Sequence, residues 1–237
     1  MKTLEESSTV DGISLHRTCY LPDGPPRATA VLLHGQGDFV SRYAEVTAIF
    51  QEHGIAVVGC DLPGHGSSPG RRGHIPGFSF IDQVVKQDRS RCHELAPGAP
   101  IGLLGHSCGG LMALRELLRN PGDWNYSWIS SPLVHPEGTR PAWEAWFFLF
   151  VARLFPFLSI DIGVGPKECI NDGPDQEARL GEMTDENRFH RRITLSWTRA
   201  VCDAAREVRA NFRSLPPIPI LFTQGEDDPV CRAETLA

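Results

Sequence analysis

Residues 105–109 read GHSCG and directly follow the apolar run IGLL at 101–104. A Gly-x-Ser-x-Gly sequence that ends a strand and opens a helix is typical of a nucleophile elbow, a strained turn that exposes the serine hydroxyl. A side chain at Gly105 or Gly109 would crowd the neighbouring strand or helix, and the backbone angles of such a turn favour residues without a Cβ. The pattern therefore predicts a sheet-based fold with Ser107 at the end of a buried strand.

Composition narrows the class of protein. With 237 residues, 41% of them hydrophobic and 22% charged, the chain is large enough for one α/β domain, and we expect a single domain over 1–237. The formal charge of −6 and the lack of basic clusters argue against a nucleic-acid partner. The N-terminus has no apolar signal-peptide stretch, which favours a cytoplasmic location. Seven scattered cysteines without a Cys-x-x-Cys pair indicate reduced thiols rather than disulfides or a metal site.

Short apolar runs alternate with helical patterns along the chain. A hairpin between 9–10 and 13–20 is predicted around the turn at Asp11 and Gly12. Further strands are predicted at 28–33, 55–60, 101–104, 126–131 and 218–223, and helices at about 41–53, 80–95, 111–118 and 201–212. Continuous apolar strands that alternate with helices favour an α/β fold with a mostly parallel, doubly wound sheet covered on both faces.

Unusual residues follow several of these strands, at the sheet edge where α/β folds place their sites. The segments read HGQGDFVSRY (34–43), DLPGHGSSPGRRGH (61–74), LLGHSCGG (103–110), SSPL (130–133) and TQGEDDPV (223–230). In this order they resemble the α/β-hydrolase fold, and within it the monoacylglycerol lipase and bacterial lysophospholipase group of serine hydrolases. The resemblance is weak between about 134 and 195, where this group carries a helical lid insertion.

The resemblance implies a serine carboxylic-ester hydrolase that cleaves lipids with one acyl chain through an acyl-Ser107 intermediate, without a cofactor. Acyl transfer needs a nucleophile, a base, a group that orients the base, and donors for the oxyanion. The N–H of Cys108 directly follows the nucleophile and is one predicted oxyanion donor, and by resemblance the N–H of Gln36 is the other. Asp228 occupies the family's position for the orienting acid, with Asp227 as its competitor.

All nine histidines precede Asp228, whereas α/β-hydrolases order the triad as serine, acid and histidine. By resemblance His34, His65 and His106 brace or shape the site's loops. We therefore expect the triad histidine, with a final strand and helix, to lie beyond Ala237, and the 237-residue chain alone to be inactive. Two alternatives stay open: a non-catalytic or truncated protein of hydrolase fold, and a proline iminopeptidase-like peptidase.

The predicted lid contains an apolar helical stripe that includes Trp146, Phe150 and Leu154. The run is too short to cross a bilayer, which needs about 20 apolar residues. We expect Trp146 and Phe150 to bind the acyl chain of a small lipid ester, such as a monoacylglycerol or a lysophospholipid. The lid would then touch a membrane or lipid aggregate, so that the protein associates peripherally with membranes. A helix packed on the core is the alternative.

Overall fold

The computed structural model describes residues 1–136, 150–161, 190–228 and 230–231. The described strands are β1 (Lys2–Val10), β2 (Ile13–Leu21), β3 (Ala28–Leu33), β4 (Ile55–Cys60), β5 (Ile101–His106), β6 (Tyr126–Ser130), β7 (Ser159–Asp161), β8 (Arg192–Thr194) and β9 (Ile220–Thr223). Seven of them form one sheet in the order β1-β2-β4-β3-β5-β6-β9. Neighbours from β4 to β9 are parallel, whereas β1 and β2 join antiparallel. The predicted mostly parallel sheet is confirmed.

Helices cover both faces of this sheet. They are α1 (Ala44–Glu52), α2 (Phe78–Leu95), α3 (Cys108–Arg119) and α4 (Leu195–Asn211), with 3₁₀ turns at Val40–Tyr43 and Phe212–Ser214. The apolar faces of α2, α3 and α4 enclose the larger core, and α1 packs over the opposite face near Tyr20, Val57 and Leu104. Within the described ranges, no helix is both long enough and apolar enough to span a membrane.

The N-terminal hairpin is longer than the sequence pattern predicts. Strand β1 begins at Lys2 rather than near Thr9 and pairs along its whole length with β2. Its inward positions include the polar residues Glu6 and Ser8. Arg91 donates to Glu6, and Ser8 exchanges hydrogen bonds with Arg17 and Gln87. Because these polar groups pair with side chains of β2 and α2, β1 lacks the apolar alternation that would reveal a strand.

The predicted lid interval is described in part. Residues 150–154 are helical, and β7 and β8 form an antiparallel ladder. Helix α4 starts at Leu195, six residues before the predicted helix, and its first turn is anchored by N–H donation from Leu195 to the Leu158 carbonyl. Trp146 lies outside the described residues.

Candidate active site

Ser107 occupies the turn between β5 and α3. Its backbone has φ 53° and ψ −118°, a conformation that L-residues rarely adopt. Its N–H donates to the Ser130 carbonyl at 2.9 Å, and its carbonyl accepts from the N–H groups of Leu111 at 3.1 Å and Leu133 at 3.0 Å. Such strain costs about 1–3 kcal/mol and persists only where the surroundings enforce it. The three hydrogen bonds supply that enforcement.

The two glycines of the elbow are required by close backbone approach. A Cβ on Gly109 would lie 2.0 Å from the carbonyl oxygen of Leu33, and one on Gly105 would lie 2.4 Å from that of Gly109. Neither contact is compatible with a side chain. The predicted crowding at both positions is confirmed. Because Gly109 has no Cβ, α3 can begin directly against β3.

The loop after β3, which contains Gln36, approaches Ser107 through Gly35. A Cβ on Gly35 would touch the Cβ of Ser107 at 3.4 Å, so the backbone of this loop runs beside the elbow. Among the described residues, no carbonyl accepts a hydrogen bond from the N–H of Gln36 or of Cys108. The thiol of Cys108 is buried, and burial raises its pKa to about 12, which makes it an inert neutral group.

Asp38 holds this loop in shape. Its Oδ1 accepts from the N–H of Phe39 at 2.9 Å and from Nη1 of Arg42 at 2.8 Å, and its Oδ2 accepts from the Tyr43 hydroxyl at 2.8 Å. The Tyr43 oxygen in turn accepts the N–H of Gly35 at 3.4 Å. Burial, together with the carboxylate of Asp38, raises the pKa of Tyr43 well above its ordinary value, so the hydroxyl stays a donor. Asp38, Arg42 and Tyr43 all lie within the segment HGQGDFVSRY, but their mutual contacts depend on the folded loop and are not predicted by the sequence.

Asp61 and His34 hold the loop after β4 in place. Oδ1 and Oδ2 of Asp61 accept the N–H groups of Val40 and Ser67, each at 2.8 Å. His34 is fully buried, and its Nε2 accepts the N–H of Leu62 at 3.0 Å. These contacts bind the loop after β4 to the loop after β3.

Asp228 follows β9 and lies on the same side as the elbow. Its Oδ1 accepts the N–H groups of Val230 at 2.9 Å and Cys231 at 2.8 Å, and its Oδ2 accepts from Nε2 of Gln224 at 3.1 Å. The thiol of Cys231 is 4.0 Å from the Ser107 hydroxyl. Asp227 is exposed. Cys231 therefore lies between Asp228 and Ser107, with its N–H on the carboxylate and its thiol facing the hydroxyl.

No described histidine is hydrogen-bonded to the Ser107 hydroxyl or to Asp228. The nearest in sequence is His106, whose Nδ1 lies 3.1 Å from the Ser130 hydroxyl. Burial lowers the pKa of His106, and the charges of Asp38 and, more weakly, Asp228 oppose that shift only in part. Among the described residues, the elbow, the loop that contains Gln36 and the turn that contains Asp228 are therefore present without a histidine hydrogen-bonded to Ser107 or Asp228. Phe150 is half-exposed at the start of the described helical stretch.

The rings of His34, His65 and His190 lie close together beside the loop after β3. The centroids of His65 and His190 are 4.6 Å apart, and those of His34 and His65 are 5.3 Å apart. Both ring nitrogens of His34 and of His65 already contact other polar atoms. Within the described ranges, no three His, Cys, Asp or Glu side chains are grouped to hold a metal ion.

Known proteins share this architecture. The Hydrolase_4 family model, described as Serine aminopeptidase, S33, matches residues 24–236. The chain is 30% identical over 158 residues to monoglyceride lipase from Homo sapiens, a match that covers 66% of this chain and 50% of that enzyme. It is 27% identical over 220 residues to monoacylglycerol lipase from Mycolicibacterium smegmatis, with coverage of 92% and 76%. The crystal structure of Paleococcus ferrophilus monoacylglycerol lipase is similar with a TM-score of 0.79 and 27% identity, and the match covers 93% of this chain and 80% of that one.

The chain therefore spans half the length of the human relative that it matches. The family model covers nearly all of the 237 residues. By its sequence and its fold, this chain belongs to the Hydrolase_4 family of α/β-hydrolases.

Proposed function

We propose that the protein is a serine carboxylic-ester hydrolase acting on lipids with a single acyl chain, either monoacylglycerol or lysophospholipid. The observation that carries this proposal is the strained Ser107 beside two backbone N–H groups, those of Gln36 and Cys108, that have no described acceptor. Such a pair is the arrangement that stabilises a tetrahedral oxyanion. The names of the monoacylglycerol lipase relatives support the choice of substrate.

In the proposed reaction, Ser107 Oγ attacks the ester carbonyl carbon, and the oxyanion accepts hydrogen bonds from the N–H groups of Gln36 and Cys108. Collapse of the tetrahedral intermediate breaks the ester bond and leaves the acyl group on Ser107, while the alcohol departs with the serine proton. Water then cleaves the acyl-serine ester and releases the fatty acid. Asp228 is the acid that orients the imidazole base, as the order of the triad in this fold requires.

The decisive variant is Ser107→Ala in the full-length protein. The substitution removes the nucleophile while alanine fits the same turn, so hydrolysis of monoacylglycerol should fall about 10⁴-fold to 10⁶-fold with unchanged circular dichroism. Ser67→Ala, at an exposed serine of the loop after β4, is the matched control and should keep full activity. Retention of more than a few per cent of activity in Ser107→Ala would defeat the assignment.

A parallel assay separates the esterase from a peptidase. The matching family model is described as a serine aminopeptidase, so a prolyl anilide substrate is compared with monoacylglycerol under the same conditions. Preference for the ester supports the proposal, and preference for the anilide overturns it.

We also propose that the protein binds a lipid surface peripherally through the lid. Four apolar side chains between 154 and 158 are more than half exposed, namely Leu154, Phe155, Phe157 and Leu158. Phe157 and Leu158 line an open cavity of about 390 Å³ together with Arg71, Arg72, Ser159 and Arg192. The arginines place positive charge at this rim although the chain as a whole is acidic. An apolar surface edged with arginine matches the interface of an anionic bilayer.

Vesicle sedimentation tests this contact. Binding should be stronger to vesicles that contain phosphatidylglycerol than to pure phosphatidylcholine, and Phe157→Ser combined with Leu158→Ser should weaken it at least several-fold. Ile49→Ser, which removes an exposed apolar side chain from α1, is the matched control. Equal sedimentation of the wild type and the double variant would exclude residues 157 and 158 from the contact.

A further inference from the structure

The side chain of Gln36 is held between two fully buried rings. Nε1 of Trp197, in the first turn of α4, donates to Oε1 of Gln36 at 2.8 Å. Nε2 of Gln36 lies 3.3 Å from Nε2 of His65. The other ring nitrogen of His65, Nδ1, lies 2.9 Å from the Pro63 carbonyl. One chain of contacts therefore runs from α4 to the loop after β4. It passes through the loop after β3, which contains Gln36 and is called the oxyanion loop below.

The chemistry of the groups fixes the direction of every hydrogen bond in this chain. An indole N–H can only donate, so the amide oxygen of Gln36 faces Trp197 and its NH₂ group faces His65. Nε2 of His65 must then accept, which puts the ring proton on Nδ1, where the Pro63 carbonyl accepts it. A second proton on His65 would place two hydrogen-bond donors, Nε2–H of His65 and the NH₂ group of Gln36, opposite each other without an acceptor. The arrangement is complete only while His65 is neutral.

The surroundings of His65 favour that neutral state. The rings of His34 and His190 lie against it, and Arg72 donates from its guanidinium to the carbonyls of Gly64 and Gly66 on either side of it. The carboxylate of the same loop, Asp61, is occupied by the N–H groups of Val40 and Ser67. Burial first, and then the neighbouring His34, His190 and Arg72, lower the pKa of His65 well below its ordinary value.

The position of the Gln36 backbone depends on the hydrogen bonds of its side chain. The neighbouring residues are glycines, which restrict the backbone conformation less than other residues do. Gly35 and Gly37 flank it, and Gly37 has φ 75°, which only a residue without a Cβ adopts readily. The carbonyl of Gly37 also accepts the N–H of His190 at 3.2 Å. The segment that returns from the lid into α4 therefore contacts the oxyanion loop at two independent points, Gly37 and the Gln36 side chain.

We propose that Trp197 and His65 are positioning residues that, through the side chain of Gln36, hold the Gln36 N–H where the oxyanion develops. This inference rests on the proposed function, in which that N–H is an oxyanion donor. Removing such a donor costs about 10²-fold to 10³-fold in kcat. Because misplacing a donor is milder than removing it, loss of the anchor should lower kcat about 10-fold to 100-fold and leave KM within about two-fold.

The kinetic test uses Trp197→Phe in the full-length protein, which removes the indole N–H and keeps an aromatic ring. Trp128→Phe is the matched control, because its Nε1 also donates a hydrogen bond, to the Thr223 hydroxyl at 2.9 Å, away from Gln36. Trp197→Phe should lower kcat alone, and Trp128→Phe should leave kcat and KM unchanged. Equal kcat values for the two variants, or a rise in KM without a fall in kcat, would overturn the proposal.

A second variant guards against a folding defect at the buried Trp197. Gln36→Met removes the amide from a partly exposed side chain of similar length. It should lower kcat as much as Trp197→Phe, and the double variant should lose no more than either single one, since both break the same anchor. Additive losses would show that Trp197 acts by another route. Full activity in Ser107→Ala would instead defeat the proposed function. The hydrogen bonds of Gln36 would then be tested by the spectroscopic measurement below, which does not depend on turnover.

The hydrogen-bond chain itself is tested without turnover. In nitrogen-15 spectra of the protein at about pH 6, near the ordinary pKa of histidine, His65 should be neutral and protonated on Nδ1. In Gln36→Glu, His65 should instead carry a proton on both ring nitrogens. The reason is that a carboxylate accepts hydrogen bonds from Trp197 and from a protonated Nε2 of His65 at the same time. A wild-type His65 that is protonated on Nε2 under the same conditions contradicts the chain of contacts.

Discussion

Three partly or fully buried histidines should make the folded state sensitive to acid. Burial lowers the pKa of His65, His106 and His190 below the value of about 6.5 that each has in an unfolded chain. Below that pH the unfolded chain binds protons that the folded chain does not. The free energy of unfolding should therefore fall as pH drops below about 6.5, by up to about 1.4 kcal/mol per pH unit for each histidine.

Urea unfolding at about pH 7 and at about pH 5.5 measures this loss. His65→Gln removes one titrating group and should flatten the dependence on pH. A free energy of unfolding that is equal at both values, or that rises toward acid, would contradict the assignment of these rings as neutral.

At the scale of single residues, a role can be predicted from the sequence when it depends only on neighbouring residues in the chain. The steric need for Gly105 and Gly109 arises within one strand-turn-helix unit, so the pentapeptide predicts it and the structure confirms it. The contact between Trp197 and Gln36 joins positions 161 residues apart. No local pattern encodes that pairing, and only the folded arrangement of α4 and the loop after β3 reveals it. The catalytic roles of Ser107 and Asp228 stay predictions.

At the scale of elements, the lid helix offers a test based on chain length. Phe150 is half-exposed, and Trp146 lies four residues before it in the sequence, the spacing of one turn in the predicted helical stripe. If these side chains roof the acyl chain, Trp146→Ser with Phe150→Ser should impair long-chain esters far more than short ones, since each buried CH₂ contributes about 0.8 kcal/mol.

Comparison of kcat/KM for acetyl and dodecanoyl esters measures the effect. Ile49→Ser on α1 serves as the control and should affect both esters equally. Equal losses on both esters in the double lid variant would assign this helix to the core or the surface instead.

Elements with apolar periodicity were predictable, and elements stabilised by polar partners were not. Strands β3, β4 and β5 are continuous apolar runs, and each lies within a residue or two of its predicted bounds. Strand β1 went largely unpredicted because its inward residues Glu6 and Ser8 are paired to arginines on other elements. Helix α4 extends beyond its predicted start because Leu195 and Trp197 are buried against other parts of the fold.

At the scale of the whole molecule, the missing contact between a histidine and Ser107 leads to a kinetic prediction. Because no described histidine contacts Ser107 Oγ or Asp228, residues 1–237 alone should hydrolyse esters only at the residual rate of a site without a base, about 10³-fold to 10⁴-fold over water. Free imidazole should raise the rate of the wild type and leave Ser107→Ala unchanged.

His106→Gln is the companion variant, because His106 adjoins the nucleophile. It should match the wild type with and without imidazole. A turnover near 1 s⁻¹ or above without added imidazole, in the range of ordinary enzymes, would mean that one of the histidines already present acts as base.

The order of strands buries the strand that leads to Ser107. Strand β5 lies between β3 and β6 in the interior of the sheet, and its residues Leu103 and Leu104 are buried. The N–H of Ser107 itself donates to the Ser130 carbonyl on β6. Local opening begins where few apolar contacts hold a strand. Amide protons of β5 and of Ser107 should thus exchange with solvent only on global unfolding, so the backbone that presents the Ser107 hydroxyl should be as rigid as the core.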